Sequence, residues 1–414
     1  MTRLPGVRVE LRRQHYVQAC AHASILIYWG WYWRPVYQAA WLIAAQLLFA
    51  YVCDFLLAWW DGEEWVLGFG PFPIVFSANL FLWFKPGYVA WQFVMIGVAF
   101  AAKRMLRWNR DGRRVHIFNP SAFALTVMSI GLLVTGTTDV TWGREIAITQ
   151  FFPPGMYLFL FLVALPGQIL FGVAPMTLAA VTTTYLWSAA YFASTGTYFF
   201  VDSHVPIAVF LGMHLLFTDP STSPRSAGGR VIFGAMYGLS VVGLYAALTS
   251  AGLPAFYDKL LQVPLMNLSV KYIDRVLPPS RQGFSVRRNL VYVGVWTVAF
   301  VLMSAGGNLN DRHPGQFLPF WQRACREQRA GACRQAEQME IALCRAGSGW
   351  SCNELGNARA ARDEEPVASL AAWQQGCALG FTAACENARD GRGREAPPAP
   401  ADQSLLQRGS KAPR

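Results

Sequence analysis

From about residue 21 to residue 305 the chain is a succession of apolar runs broken by short polar clusters. The runs approach ~20 residues, the length that carries a helix across ~30 Å of hydrocarbon. They lack the alternation of a barrel strand, and lipid offers backbone amides no partner, so they predict helices. In order they are Ala21–Trp33, Val36–Trp60, Pro71–Phe84, Tyr88–Met105, Ser121–Val134, Met156–Gly172, Ala174–Ala193, Val205–Phe217, Val231–Leu248, Pro254–Ile273 and Leu290–Ala305. Ten or eleven crossings follow, the count turning on the short Ala21–Trp33 and Pro71–Phe84. From Asn308 the chain turns rich in Arg, Ala, Gln, Glu and Cys, and from Arg389 no apolar period remains. The expected fold is all-α: a polytopic membrane bundle carrying a small helical domain. Its parts are an N-terminal segment (1–20), a transmembrane domain (21–307), a cysteine-paired domain (308–388) and a disordered tail (389–414).

Composition agrees with lipid as the solvent. Apolar residues make up 54% and charged residues 14%, against about 25% charged in soluble domains. The net charge of +11 is gathered in clusters between apolar spans. These are the N-terminus and the loops Lys103–His116, Asp219–Arg230 and Arg281–Arg288. Eleven crossings put all four on the cytoplasmic side, the arrangement that retained positive charge favours. The basic residues therefore orient a membrane protein, and no nucleic-acid partner is expected. The same count puts the loop Asp139–Pro154 and the C-terminal domain outside, the localisation being an inner (cytoplasmic) membrane with a periplasmic C-terminal domain. The opening MTRLPGVRVELRRQHY leads into no short apolar stretch with a small-residue cleavage site, so no removed signal peptide is expected.

Six of the eight cysteines fall in the C-terminal domain as Cys325 and Cys333, Cys344 and Cys352, and Cys377 and Cys385. The offset within each pair is the same, and each pair flanks a Gly-containing turn (REQRAGA, RAGSGWS, ALGFTAA). Between pairs lie helix-forming stretches. Each pair is thus placed to staple the end of one helix to the start of the next, in a domain too small to bury much apolar surface. Zinc is the competing reading, but its ligands cluster more tightly and often include His, and only His313 is near. Reduced core cysteines do not account for three equal offsets. Disulfides imply an oxidising compartment, in agreement with the charge-derived topology. Cys20 and Cys53 read as small packing residues. WQRACREQRAGACRQA, ALCRAGSGWSCNELGNA and WQQGCALGFTAACENA resemble the cysteine-rich Sel-like repeats, relatives of tetratricopeptide repeats. The resemblance implies a helical solenoid for protein contact, with the interval Cys325–Cys344 shorter than a full repeat.

Two polar, Pro-containing strings interrupt the membrane domain. One is His116–Phe123, with Asn119, Pro120 and Ser121 at its centre. The other holds Thr218, Asp219, Ser221, Thr222, Ser223, Arg225, Gly228, Gly229 and Arg230. Asn or Asp before Pro suits a turn or a helix N-cap, and helix N-termini present free amides to anions. A phosphate, such as that of a flavin mononucleotide, suits this chemistry. Plain helix capping and charge anchoring suit it too.

HIFNPSAF, TDPSTSPRSAGGRVIFGAMYG and VPLMNLSVKYID resemble the RnfD/NqrB family, membrane subunits of the Rnf and sodium-pumping NADH:quinone oxidoreductase complexes. The likeness runs from about Tyr37 to Asp274 and is strongest to stand-alone relatives, including membrane proteins of enediyne biosynthetic clusters. It implies a fold related to urea and ammonium transporters, flavin (FMN or riboflavin), and electron transfer coupled to ion movement with partner subunits of a redox complex. The pump subunits esterify flavin to the final Thr of an SGAT-like motif in an outer loop. The nearest string here is Thr135-Gly-Thr-Thr-Asp139, which makes Thr138 the corresponding residue with Thr137 in place of Ala.

Asp54, mid-span among Cys, Phe and Leu, is a candidate for ion handling, with an interhelical hydrogen bond as the alternative. His204 and His214 do not make a haem pair at their spacing, and Asp258 beside Lys259 reads as a local interfacial charge pair. No nucleophile-and-base set, HExxH or GxxxxGK string is present. Three functions are thus set against one another. They are a flavin-linked electron-transfer subunit, a non-redox transporter or channel, and a scaffold recruiting a protein through its outer repeats.

Overall fold

The structure, a computed structural model, describes residues 6–110, 112–200, 203–278, 286–307, 309, 313–361 and 366–391. Nearly all of the expected tail, and residues 281–285 of the expected basic loop, lie outside that range. The chain is mostly helical, with 18 α-helices among the described residues, and divides into two units. The first comprises Met1–Trp187 and Val205–Asp311, the second Ser188–His204 and Arg312–Arg414.

The principal helices of the first part of the chain are α1 (Arg13–Tyr32), α2 (Ala40–Asp61), α3 (Pro71–Phe81), α4 (Ala90–Met105), α5 (Pro120–Thr135) and α6 (Met156–Phe171). There follow α7 (Ala174–Thr195), α8 (Ile207–Leu215), α9 (Ala227–Ser250), α10 (Val263–Val276) and α11 (Val286–Ala305). Every expected span contains a helix, but not always a whole one. Val36–Trp60 is split at Ala39 into a single turn, Pro35–Gln38, and α2. Pro254–Ile273 is a 3-10 turn over Ala255–Lys259 followed by α10. Among the described residues, three helices are long and apolar enough to cross a membrane: Ala40–Asp61, Ala227–Ser250 and Arg287–Ala305. Three more are apolar but shorter, α3, α5 and α6.

Large apolar side chains point outward along this unit. Trp41, Leu48 and Trp60 on α2, Leu158 and Leu162 on α6, and Val291, Val298 and Leu302 on α11 are all exposed. Inside, polar side chains finish what the short helices leave open. The carbonyls at the end of α3 receive amide protons from two buried glutamines, Gln150 to Leu80 (2.8 Å) and Gln92 to Leu82 (3.2 Å). The Gln92 carbonyl in turn accepts from the Phe84 amide (3.1 Å). At α8 the Tyr157 hydroxyl donates to the Val205 carbonyl (2.6 Å) before the helix, and Asn119 to Leu216 (2.8 Å) after it. Thr126 and Tyr237 donate to the Leu260 and Lys259 carbonyls at the break before α10. Such carbonyls buried without a partner would each cost about 1–3 kcal/mol.

The connections of the first unit gather at two ends. At one end strand β1 (Val7–Val9) pairs in parallel with β2 (Trp65–Leu67), and Arg104 and Arg107 bind Asp61 and Glu63. The expected basic loop there is a hairpin, β3 (Arg107–Arg110) against β4 (Arg113–His116), not irregular chain. At the other end the Lys85 amide donates to the Val140 carbonyl, Trp142 to Trp83, and Tyr28 to Pro154. From α1 to α5 the connections alternate between these two ends. Gly238 of α9 lies so near α7 that a Cβ there would sit 2.7 Å from the Ala180 carbonyl.

The second unit holds helices α12 (Leu318–Arg326), α13 (Ala332–Arg345), α14 (Gly349–Ala360), α15 (Pro366–Ala378) and α16 (Thr382–Asp390). Disulfides Cys325–Cys333, Cys344–Cys352 and Cys377–Cys385 join α12 to α13, α13 to α14 and α15 to α16, with Cα atoms 4.5–4.7 Å apart. The pairing is the one the spacing predicts. Between α14 and α15, where no disulfide runs, Trp373 donates to Asn357 (3.0 Å), and on α16 Asn387 donates to Asn353 (2.8 Å). The unit is not contiguous in sequence. Phe192 and Tyr198 pack with Leu318, Trp321, Ala332 and Ala336, and the Arg329 guanidinium donates to the Gly196 carbonyl (2.7 Å). An apolar base for the first helix pair is thus borrowed from a segment more than a hundred residues earlier.

Each disulfide restricts the unfolded chain by about 2–4 kcal/mol. Reduction of all three is expected to lower the unfolding temperature of the second unit by well over 10 °C and expose α12–α16 to protease. Thermal scans and limited proteolysis with and without reductant check this.

Candidate functional site

The two polar strings meet at the basic end of the first unit. Asn119 caps α5: its Oδ1 accepts from the Ala122 amide (3.2 Å) and the Ser121 hydroxyl (2.9 Å). Pro120 occupies the first helical position, where a missing N–H costs nothing. The second string behaves otherwise. Asp219 caps no helix. It closes a turn, its Oδ1 accepting from the Ser221 amide (3.0 Å) and hydroxyl (2.7 Å), while its main-chain carbonyl accepts from Ser223. The helix begins later, at Ala227, with Ser226 as its cap. A Cβ on Gly229 would sit 2.9–3.0 Å from Ser226, Pro224 and Ile273, so the closure there needs glycine.

Residues outside the predicted set hold the turn. Arg110 of the hairpin donates to the Ser221 carbonyl (3.1 Å), the Ser223 carbonyl (2.9 Å) and Asp274 of α10 (2.5 Å). The other Asp274 oxygen accepts from the Arg225 amide (2.9 Å). Asn267, two turns earlier on the same face of α10, accepts from the Asn119 amide (3.1 Å) and donates to the Thr222 carbonyl (3.1 Å), tying the strings together. His116 Nε2 lies 2.8 Å from the Ser221 hydroxyl and 3.3 Å from Asp219 Oδ2. Burial alone raises the Asp219 pKa, but the His116 hydrogen bond and charge, with the Ser221 bonds, outweigh it and hold the carboxyl below its ordinary 3.8. Arg230 gives its protons to the Pro224 (3.0 Å) and Gly172 (2.6 Å) carbonyls. Arg225, Ala227 and Gly228 are exposed at the start of α9.

The predicted residues do not all come together. Thr138 stands in the turn after α5, whose 16 residues span about 24 Å. A mononucleotide at the Thr218–Arg230 turn is out of reach of it. Asp54 pairs with Lys103 of α4 (3.2 Å), so its charge has a partner. Asp258 and Lys259 form the local pair expected of them (3.1 Å), with side chains only 3–4% exposed. His214 lies buried in α8, and His204, near Ser188 (3.2 Å), belongs to the second unit. Among the described residues no group of three or more His, Cys, Asp or Glu is placed to hold a metal.

Most donors and acceptors of the two strings are spent on one another, so the knot is chiefly a structural device at this end. For a flavin the residues fit only its anionic part. Arg225 and the exposed first amides of α9 suit a phosphate. A cavity of about 20 Å³ beside Thr218, between α1, α6 and α8, has no room for an isoalloxazine ring.

No protein-family model matches the chain, and no curated protein or solved structure matches it either.

Arg110→Ala would strip Asp274 of its cation and two carbonyls of their donor. A loss of about 3–5 kcal/mol is expected, more than Arg110→Lys causes, by thermal unfolding in detergent. The depressed Asp219 pKa carries a sign. Its stabilisation is complete above about 3.8 and fades as pH falls through the lower folded value. The melting-temperature gap between the protein and Asp219→Asn is therefore expected to be widest near neutrality and to close below that pH.

Proposed function

We propose that the chain is a multi-pass membrane protein whose bundle is an electron-transfer subunit of the RnfD/NqrB kind, with a disulfide-stapled repeat domain for protein contact outside the membrane. The observation that carries the membrane reading is the outward apolar surface of the first unit, on short helices as well as long ones. A soluble monomer rarely exposes contiguous apolar patches beyond a few hundred Å². Eleven crossings suit the alternation of connections between a basic end and an opposite end. They also suit the grouping of Ser188–His204 with the C-terminal residues, since both fall outside on that count.

The flavin reading rests on the resemblance, supported by Arg225 and the exposed start of α9. The flavin would supply reversible electron transfer. This chain's part would be to hold the phosphate with Arg225 and to keep Arg110 and Arg230 fixed behind it. Protein purified from flavin-replete cells is expected to carry flavin absorbance, and Arg225→Ala to weaken retention roughly tenfold, which corresponds to about 1.4 kcal/mol. A colourless, flavin-free preparation overturns the redox reading. A second reading, a transporter or channel, is favoured by the two short helices α3 and α8, whose ends lie inside the protein. Substrate flux into proteoliposomes without redox dependence would select it.

A further inference from the structure

Buried polar atoms without partners are rare in folded proteins, and in lipid they are dearer still. Two such side chains face the same space in the first unit. The cavity between α1, α6 and α8 is lined by Gln18 and Ala21, by Gln168 and Phe171, and by His214 and Thr218. Gln168 is 1% exposed and His214 2% exposed. Both carboxamide atoms of Gln168 and the Nε2 of His214 lack a hydrogen-bond partner in the protein.

The chemistry of the space follows from the bonds its walls do make. His214 Nδ1 lies 2.7 Å from the Phe210 carbonyl, which can only accept, so Nδ1 carries the proton. In the neutral ring Nε2 is then a lone pair that needs a donor. The Thr218 hydroxyl gives its proton to the His214 carbonyl (2.7 Å), which leaves oxygen lone pairs beside the cavity. Gln168 offers two donors and an acceptor. The indole N–H of Trp296, its ring 5.8 Å from that of His214, is also unpartnered. No charged side chain lines the cavity, so nothing there would neutralise an ion. Its volume of about 20 Å³ exceeds the ~10–15 Å³ that one water requires.

We propose that this cavity is a binding site for one small uncharged molecule that both donates and accepts hydrogen bonds, with water as its resting occupant, bridging His214 Nε2 and the Gln168 carboxamide. A water here donates to Nε2 and accepts from the Gln168 amide, and so satisfies groups on two helices that do not reach each other. Thr218 opens the Thr218–Arg230 turn, so the site lies directly beneath that knot. The proposal does not depend on a flavin.

The test uses the full chain in lipid bilayers with ¹⁵N-labelled histidine and solid-state NMR. His214 is expected as the Nδ1–H tautomer with Nε2 displaced from its unbonded position and a cross-peak from water protons. His214→Asn identifies the signal by its loss. Gln168→Met, which keeps the volume but removes the amide, is expected to abolish the water cross-peak and lower the melting temperature by a few degrees. An Nε2 at its unbonded position with no water cross-peak in the unaltered protein overturns the proposal. So does a Gln168→Met variant that melts higher, because relief of a dry, unsatisfied amide stabilises.

Discussion

A peptide carbonyl buried away from water has only the protein's own donors to turn to, and that constraint explains where this chain places its buried amides. Continuous helices meet it alone. Where α3 stops at Phe81 and α8 at Leu215, bare carbonyls face the interior, and side chains close them: Gln150 and Gln92 for α3, Asn119 for α8. Thr126 and Tyr237 do the same at the break before α10. These residues are polar in sequence and buried in structure because of one requirement, that a buried carbonyl have a donor. Each also locks together elements far apart in the chain, so the interruptions cross-link the bundle. A helix can then end within it at little cost.

The same logic shapes the basic end. Retained positive charge there orients the proposed topology, and the structure gives several of those cations a second task. Arg110 draws the hairpin, the Thr218–Arg230 turn and α10 together through three acceptors. Arg230 holds the start of α9 to the end of α6. Charge that sequence reading assigns to orientation is also what fixes the loops against one another.

How much was legible depended on range. The cysteine pairs were readable because their partners are near in sequence and equally spaced. The Asn119 cap was readable for the same reason, as its acceptor and donors lie within three residues. Asp219 was half-readable: a turn and a cap share the Asp-Pro signal, and only the later Ser226 shows which one forms. Arg110 was not readable as an organiser, since its carboxylate partner is 164 residues away. A signal for that partner was present in Asn267 and Asp274, seven residues apart on one face of α10. Tyr198 in the core of the second unit had no local signal at all, because an aromatic loop beside an apolar run looks the same whether it packs on lipid or on protein. The hairpin Arg107–His116 was hidden by its own charge, which reads as solvated loop.

The central claim is that the basic end of the bundle and the loop after α5 lie on opposite sides of a membrane. With Cys20 and Cys53 replaced by serine, Asp139→Cys and Ala227→Cys each place one free thiol at an exposed position. Intact cells treated with a membrane-impermeant thiol reagent should label Asp139→Cys, and Ala227→Cys only after permeabilisation. Equal labelling of both in intact cells, or of neither before permeabilisation, would contradict the account.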